Sequence, residues 1–455
     1  MRHPKSNRKV GTEFKGLKWT ARHPGSVLAP AGLLASGIEL GWTATGGVIG
    51  GTTLGLCTWY RAHPDTFDHH AAPRMRAWRR RWSTYFGPRF NRALRACDLY
   101  VIDRRTDEIR YPRVTKVRSH SPSVDTVTMD IPAGMGRRAF EDRAEVLADA
   151  LRVERVAVER VKPGRVALVI QRHEPFTETI PAPEMPDEPG AVDPGDIYIG
   201  ETEYGTEWRL SMLAKHIFIA GATGSGKNSI PLSLLRGLAP LIRDGLVRLW
   251  ICDPKQMEFR KLAGIAHRYA DEEAACAELI HDYVEDIRRV QRDFAATGQR
   301  KITMSRETPL NLLIIDEIGA LLAYGDAGIA RTIRKELALS TSQGRATGHG
   351  SMVLVQEPTK DTVPVRDLFP IRICLRVTTQ SHVDMTLGDG ARLRGALADE
   401  IPEGEATAGI GFVIRPRSRV PQRVRAAYVA DHEIDEMVAF IARGSAGAPA
   451  LTVVA

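Results

Sequence analysis

The stretch "HIFIAGATGSGKNSI", His216 to Ile230, constrains the fold of this chain more than any other. A short apolar run leads into a turn built on Gly221, Gly224 and Gly226, then Lys227, then the helix-like "SIPLSLLRGLAPLI". A buried strand that ends in a tight turn and opens a helix points several backbone N–H groups at one place, where the helix N-terminus also favours negative charge. The bare GxxxxGK pattern is weak, but its position between a strand and a helix makes it specific. Gly221, Ala222, Thr223, Gly224, Ser225, Gly226, Lys227, Asn228 and Ser229 are therefore expected to form a nucleotide-binding loop, with Lys227 reaching the β- and γ-phosphates of ATP. Asn228 stands where such a loop carries Ser or Thr. A hydroxyl there binds Mg²⁺ directly, whereas an amide oxygen is a poorer though possible ligand for a hard cation. Ser229 points about 100° further round the helix and is a poor substitute.

The same strand texture recurs in "VRLWIC", "LNLLIID", "SMVLVQ" and "IRICLRV", each separated from the next by helical stretches. Short unbroken apolar runs of this kind predict parallel strands buried on both faces, with ligands at their carboxyl ends. The expected class is α/β with a doubly wound, mostly parallel sheet. At the end of "LLIIDE", Asp316 is placed to hold Mg²⁺ through its water shell and Glu317 to polarise an attacking water.

Composition narrows the setting. A chain of 455 residues with 43% hydrophobic content can bury several cores, and a formal charge of +8 suits a polyanion or an anionic membrane surface. Its five cysteines form no CxxC pair, so neither a zinc site nor a disulfide framework is expected. Residues 1–26 form a basic leader, and the run from Val27 to Tyr60 carries Glu39 as its only charge. A span needs about 20 apolar residues, so this run is expected to cross the cell membrane once or as a short hairpin, with a Gly/Ala-rich helical pair in a soluble domain as the alternative. "RMRAWRRRW", within a juxtamembrane segment 61–96, reads as an anchor at headgroup level, and the motor domain would then be cytoplasmic.

Residues 97–175 read as a small α/β domain, with "SVDTVTMDI" a strand, "RRAFEDRAEVLADALRV" an amphipathic helix and "VERVKPGRVALVIQR" two strands about a Pro-Gly turn. Prolines and acids in 176–195 mark a linker, 196–443 the nucleotide domain and 444–455 a flexible tail.

Together "WICDPKQMEF", "LIIDEIGALL", "SQGRATGHGSMVLVQEPTKD" and "FPIRICLRVTTQSHVDMTLGDG" resemble the FtsK/SpoIIIE family of double-stranded DNA translocases, and within it the actinomycete transfer proteins of conjugative plasmids and integrative elements. Order, spacing and strand placement all agree, and the likeness extends to the small domain, which looks like the family's α subdomain. The resemblance implies a RecA-like P-loop NTPase motor, a hexameric ring around double-stranded DNA and a tether to the cytoplasmic membrane. Carried over by position, Asp253 and Lys255 match the family's strand-end DPK, and Gln356 matches its γ-phosphate-sensing glutamine, although Glu357 replaces the arginine that usually follows. Arg345 and Arg372 match family arginines that can reach a neighbouring subunit's nucleotide, Arg372 being preferred. After "YVADHEIDEMVAFIAR" no room is left for the family's winged helix, so DNA binding without strong sequence preference, or targeting delegated to a partner, is expected. Phosphate contacts are expected from "TGQRKITMSRE", through Arg300, Lys301 and Arg306, with "FRKLAG" as a second candidate. Two other readings stay open: chromosome partition at the septum, and a non-hydrolysing scaffold disabled by Asn228.

Overall fold

The computed structural model describes residues 34–39, 41–103, 106–213, 215–359, 362–414 and 420–444. The basic leader 1–26, the start of the apolar run and residues 445–455 of the tail lie outside them. The chain divides into two units, 1–75 and 76–455.

All five apolar runs are strands, and they form one side of a ten-stranded sheet. From the edge, Arg268–Ala270, Val247–Cys252, Leu310–Ile315, His349–Val355, His216–Ala220 and Ile371–Leu375 run parallel. Along each strand alternate side chains enter different cores. Ile217, Ile219, Leu312, Ile314, Met352 and Leu354 pack toward the helices Ser229–Arg243 and Asp431–Ala442. Phe218, Ala220, Leu313, Ile315, Val353 and Val355 pack toward Glu273–Thr297 and Ala327–Gln343. Burial on both faces is why the runs are unbroken rather than alternating.

The sheet is mostly parallel, as expected, but its other side is not. Beyond Ile371–Leu375 come Ile410–Ile414, Pro421–Ala426, Ile197–Thr202 and Glu207–Leu210, all antiparallel. The 176–195 segment is not a free linker either. Phe176 and Ile180 are buried with Phe412, Arg425 Nη1 donates to the Glu178 carbonyl at 2.9 Å, and Arg236 Nε donates to the Pro183 carbonyl at 2.7 Å. Extended, proline-rich backbone leaves carbonyls unpaired, and here buried arginines satisfy them.

The small domain is a four-stranded antiparallel sheet in the order Arg113–Ser119, Val124–Asp130, Arg165–Gln171, Arg155–Lys162, with Gly164 at φ +73° in the expected turn. Its amphipathic stretch is broken into two helices, Arg137–Glu141 and Ala144–Leu151, which lets Phe140 and Leu147 enter one core. Arg80, from the helix Ala72–Ser83, points inward and bonds Asp125, as do Tyr85 and Arg172. The basic cluster 74–82 is thus partly structural, because a buried carboxylate needs this many donors.

The membrane-span expectation is not met. Among the described residues no helix is long and apolar enough to cross a membrane. The run splits at Gly41, φ +82°, and the 21-residue helix Trp42–Ala62 that follows is rich in Gly and Thr, which dilute its hydropathy. Residues 27–33 and Leu40 of the run lie outside the described residues.

At the N-terminal ends of the parallel strands, His349 Nε2 lies 3.1 Å from Asp286 Oδ2, and Arg289 donates to Oδ1 at 2.6 Å. Burial raises the Asp286 carboxyl, but these hydrogen bonds outweigh it and hold the group at about 2. A carboxylate below its unfolded value stabilises the fold above the unfolded value and loses that contribution as pH falls through the folded one. Asp286→Asn is expected to lower stability near pH 7 by about 2 kcal/mol and to flatten the acid limb between about pH 4 and 2. Urea titrations across that range check it; equal slopes for both proteins would refute the assignment.

Candidate nucleotide site

The loop after His216–Ala220 is held from several sides. Gly221 N donates to the Val355 carbonyl at 3.0 Å, and Ala222 N to the Arg376 carbonyl at 2.7 Å. Gly226, at φ +81°, passes so close to the strand beginning at Ile410 that a Cβ would lie 2.5 Å from Gly409 N, which itself donates to Ser225 O at 2.9 Å. Only glycine permits that approach. The helix Ser229–Arg243 starts directly behind, its N-terminus facing the loop. This is the expected strand, loop and helix, and it lies at the carboxyl end of the sheet.

Lys227 is buried and donates to the carbonyls of Gly221 at 2.8 Å and Ala222 at 3.3 Å. Burial pushes its ammonium below the ordinary value; Glu317 and Asp316 act to raise it and Lys255 to lower it. Charged groups from the ends of three strands therefore act on one another here. Asp316 is buried and pushed up to about 7, by burial first and then by Asp253, Glu317 and Glu258. Glu317 adopts φ +52°, an uncommon conformation for a non-glycine residue, and its Oε1 accepts from Gln356 N at 3.3 Å. Lys255 Nζ sits 3.3 Å from Glu317 Oε2. The sequence-selected Lys227, Asp316, Glu317, Gln356 and Lys255 thus converge.

Asp253 is fully buried; Oδ2 accepts from Phe259 N and Tyr269 OH, both at 3.1 Å, while Oδ1 has no partner. Asn228 Oδ1 is also buried and without a partner. An unsatisfied buried acceptor in the loop, and a carboxyl pushed up by its acidic neighbours, suit a hard divalent cation. Asn228 and Asp316 are the residues that would hold Mg²⁺, which when bound would neutralise phosphate charge.

The two selected arginines lie elsewhere within the same chain. Arg345 is exposed in the turn before His349, at the N-terminal ends of the strands. Arg372 opens its strand opposite Phe218 and donates to Phe369 O and Asp367 Oδ1, each at 3.1 Å. Arg300 and Lys301 are exposed in the segment before Leu310, at the Arg345 end, where Ile302 N donates to Ala346 O at 3.2 Å. Arg306 joins them but donates to Asp244 O at 3.0 Å. From "FRKLAG", Lys261 is paired with Asp435 at 2.9 Å.

The residue that sequence reasoning missed is Arg376. It follows the strand beside the loop; its Nη2 donates to Thr223 O at 2.6 Å and approaches Glu403 at 3.5 Å. Only the register places it there: Cys374 pairs with Ala220, so Arg376 lies beside Ala222.

Comparison with known proteins agrees with this geometry. The FtsK/SpoIIIE family profile matches residues 190–392. The DNA translocase FtsK of Corynebacterium efficiens is 25% identical over 352 residues, 70% of this chain and 35% of that protein. The DNA translocase SpoIIIE of Bacillus subtilis is 22% identical over 245 residues, 49% of this chain and 29% of that protein. This chain therefore spans well under half the length of these curated relatives. In fold it is similar to the pCW3 conjugation coupling protein TcpA, solved in a monomer form with ATPγS: TM-score 0.50 and 17% identity over 77% of this chain and 98% of that one. Over residues 190–392, somewhat under half of its length, the chain is thus similar to the FtsK/SpoIIIE family.

Proposed function

We propose that this chain is an ATP-driven translocase of double-stranded DNA, serving conjugative transfer of a plasmid or integrative element, and that it works as a hexameric ring. The observation that carries the reading is the gathering of Lys227, Asp316, Glu317 and Gln356 at the carboxyl ends of the parallel strands, within the stretch that matches the FtsK/SpoIIIE family. Asn228 and Asp316 hold Mg²⁺, Glu317 orients the attacking water and Gln356 senses the terminal phosphate. Arg372, bonded in its own chain to Phe369 O and Asp367, acts across a subunit boundary on a neighbour's nucleotide, with Arg345 the second candidate for that role. The similarity to a conjugation coupling protein favours transfer over chromosome partition.

DNA contact is assigned to Arg300, Lys301 and Arg306, with Arg345 adding charge at the same end of the sheet. Phosphate contacts dominate such binding, so affinity should fall steeply with salt and depend little on sequence. Replacing Arg300 and Lys301 together by Ala should reduce the log–log salt slope by about 2. Filter binding of unrelated duplexes from low to moderate salt tests this, and an unchanged slope removes these residues from the interface.

Attachment to the cell membrane, with the motor domain cytoplasmic, is assigned to residues 1–75. Val48, Ile49, Leu54, Trp59 and Tyr60 are exposed along Trp42–Ala62, an apolar surface of the kind that marks interaction sites. Because Arg80 belongs to the Asp125 network, truncation should stop at Met75. Protein lacking residues 1–75 is expected in the supernatant of washed membranes with nucleotide binding intact; retention in the pellet sinks the assignment.

A further inference from the structure

We infer that Lys255 and Glu317 form a phosphate-operated switch: closed, the ion pair holds the Glu317 carboxylate away from water; opened by the terminal phosphate of a nucleoside triphosphate, it releases that carboxylate for hydrolysis. The inference rests on the nucleotide-site reading above and adds a regulatory contact to it.

Three observations support the switch. Both Glu317 oxygens are engaged, Oε2 by Lys255 Nζ and Oε1 by Gln356 N, each at 3.3 Å, and the side chain is only 8% exposed. A carboxylate tied at both oxygens is a poor orienting group for water, since its lone pairs already serve other donors. Lys255 also comes from the loop Pro254–Glu258, in which residues 255–258 are exposed; its neighbour Gln256 sits at φ +56° and Met257 is 77% exposed. Left-handed non-glycine residues on both sides of one contact, Gln256 and Glu317, are stored strain of the kind found in elements with two arrangements. Finally, Glu317, the partner of Lys255, also acts electrostatically on Lys227, so an anion drawn to Lys227 competes with that carboxylate. A terminal phosphate carries more charge than one carboxylate, and the ammonium follows the stronger anion. Gln356, bonded through its backbone N–H to the same carboxylate, lies where that change would be passed to the neighbouring strand.

The test is a double-mutant cycle on nucleotide affinity in the full chain, using fluorescent ATPγS and ADP. With Lys255 present, Glu317→Gln frees the ammonium and should tighten ATPγS binding about three- to tenfold. Lys255→Met should weaken ATPγS, and in that background Glu317→Gln should give only the small gain from removing a negative charge. Lys255→Arg should restore the coupling, because the charge is what matters. ADP, which lacks the terminal phosphate, should show no coupling. If Glu317→Gln tightens ATPγS equally with and without Lys255, or if ADP behaves like ATPγS, the switch is wrong. If the wild-type chain binds neither nucleotide, the nucleotide-site reading itself fails, a distinct outcome that takes the switch with it.

Discussion

Glu317→Gln should slow phosphate release in the presence of duplex DNA by about two orders of magnitude or more while leaving ATP bound at least as tightly as in wild type. The amide keeps the size of the side chain and its contact with Gln356 N but not the charge that orients water. Asn228 is the partner experiment, since its Oδ1 is buried without a hydrogen-bond partner. Asn228→Ala should lose Mg²⁺-dependent turnover. Asn228→Ser and Asn228→Thr should retain or raise it, because each restores the hydroxyl that hard cations prefer at this place in the loop. The scaffold reading makes the opposite forecast: an inert wild type, Glu317→Gln no worse, and hydrolysis only when Asn228 becomes Ser or Thr. Steady-state phosphate release by these five proteins, with DNA present, separates the readings. Wild-type turnover is expected, because the acid pair, Lys227 and Gln356 are all in place.

Glu203→Ala should destabilise the chain by about 3–5 kcal/mol, the usual cost of leaving one member of a buried ion pair uncompensated. Arg155 is 2% exposed and Glu203 fully buried, and the two are bonded. Arg155 also donates to Gln171 Oε1 at 3.1 Å and to the Gly395 carbonyl at 2.9 Å, and lies over the Phe412 ring at 5.2 Å. Glu203 Oε1 accepts from Arg423 N at 3.1 Å. One guanidinium therefore rivets the small sheet to the antiparallel side of the large one. Gly395, at φ +104°, lets the chains meet, since a Cβ there would lie 2.9 Å from Ala157 Cβ. Replacing both charges together, as Arg155→Met with Glu203→Leu, should cost less than Glu203→Ala alone, because no charge is then stranded. Denaturant midpoints for the three proteins decide it. A loss below about 1 kcal/mol for Glu203→Ala would mean that water reaches the pair.

Much of the nucleotide side of this protein was legible in sequence. The runs at 216–220, 247–252, 310–316, 351–356 and 371–377 announced buried strands by local pattern alone, and the glycines with Lys227 announced the loop, because both signals arise from neighbours in the chain. Asp316, Glu317 and Gln356 could be selected because each ends such a strand, and parallel strands bring their carboxyl ends to one edge. The antiparallel side was not legible. Val424 pairs with Thr202 and Ile410 with Arg425, and strands carrying Pro421, Arg423 and Arg425 have no unbroken apolar signature. Their arginine side chains are buried only because the carbonyls of Phe176 and Glu178 and the Glu174 carboxylate arrive from far away in sequence. Arg376 and Lys255 gained their places in the same way, through strand register and through a loop folded back on Glu317. The sequence by itself determined which segments become strands and which groups stand at their ends, since periodicity and turn chemistry are local. Tertiary structure alone decided which charges are buried, which are paired and which remain exposed, since those outcomes depend on partners that chain proximity does not specify.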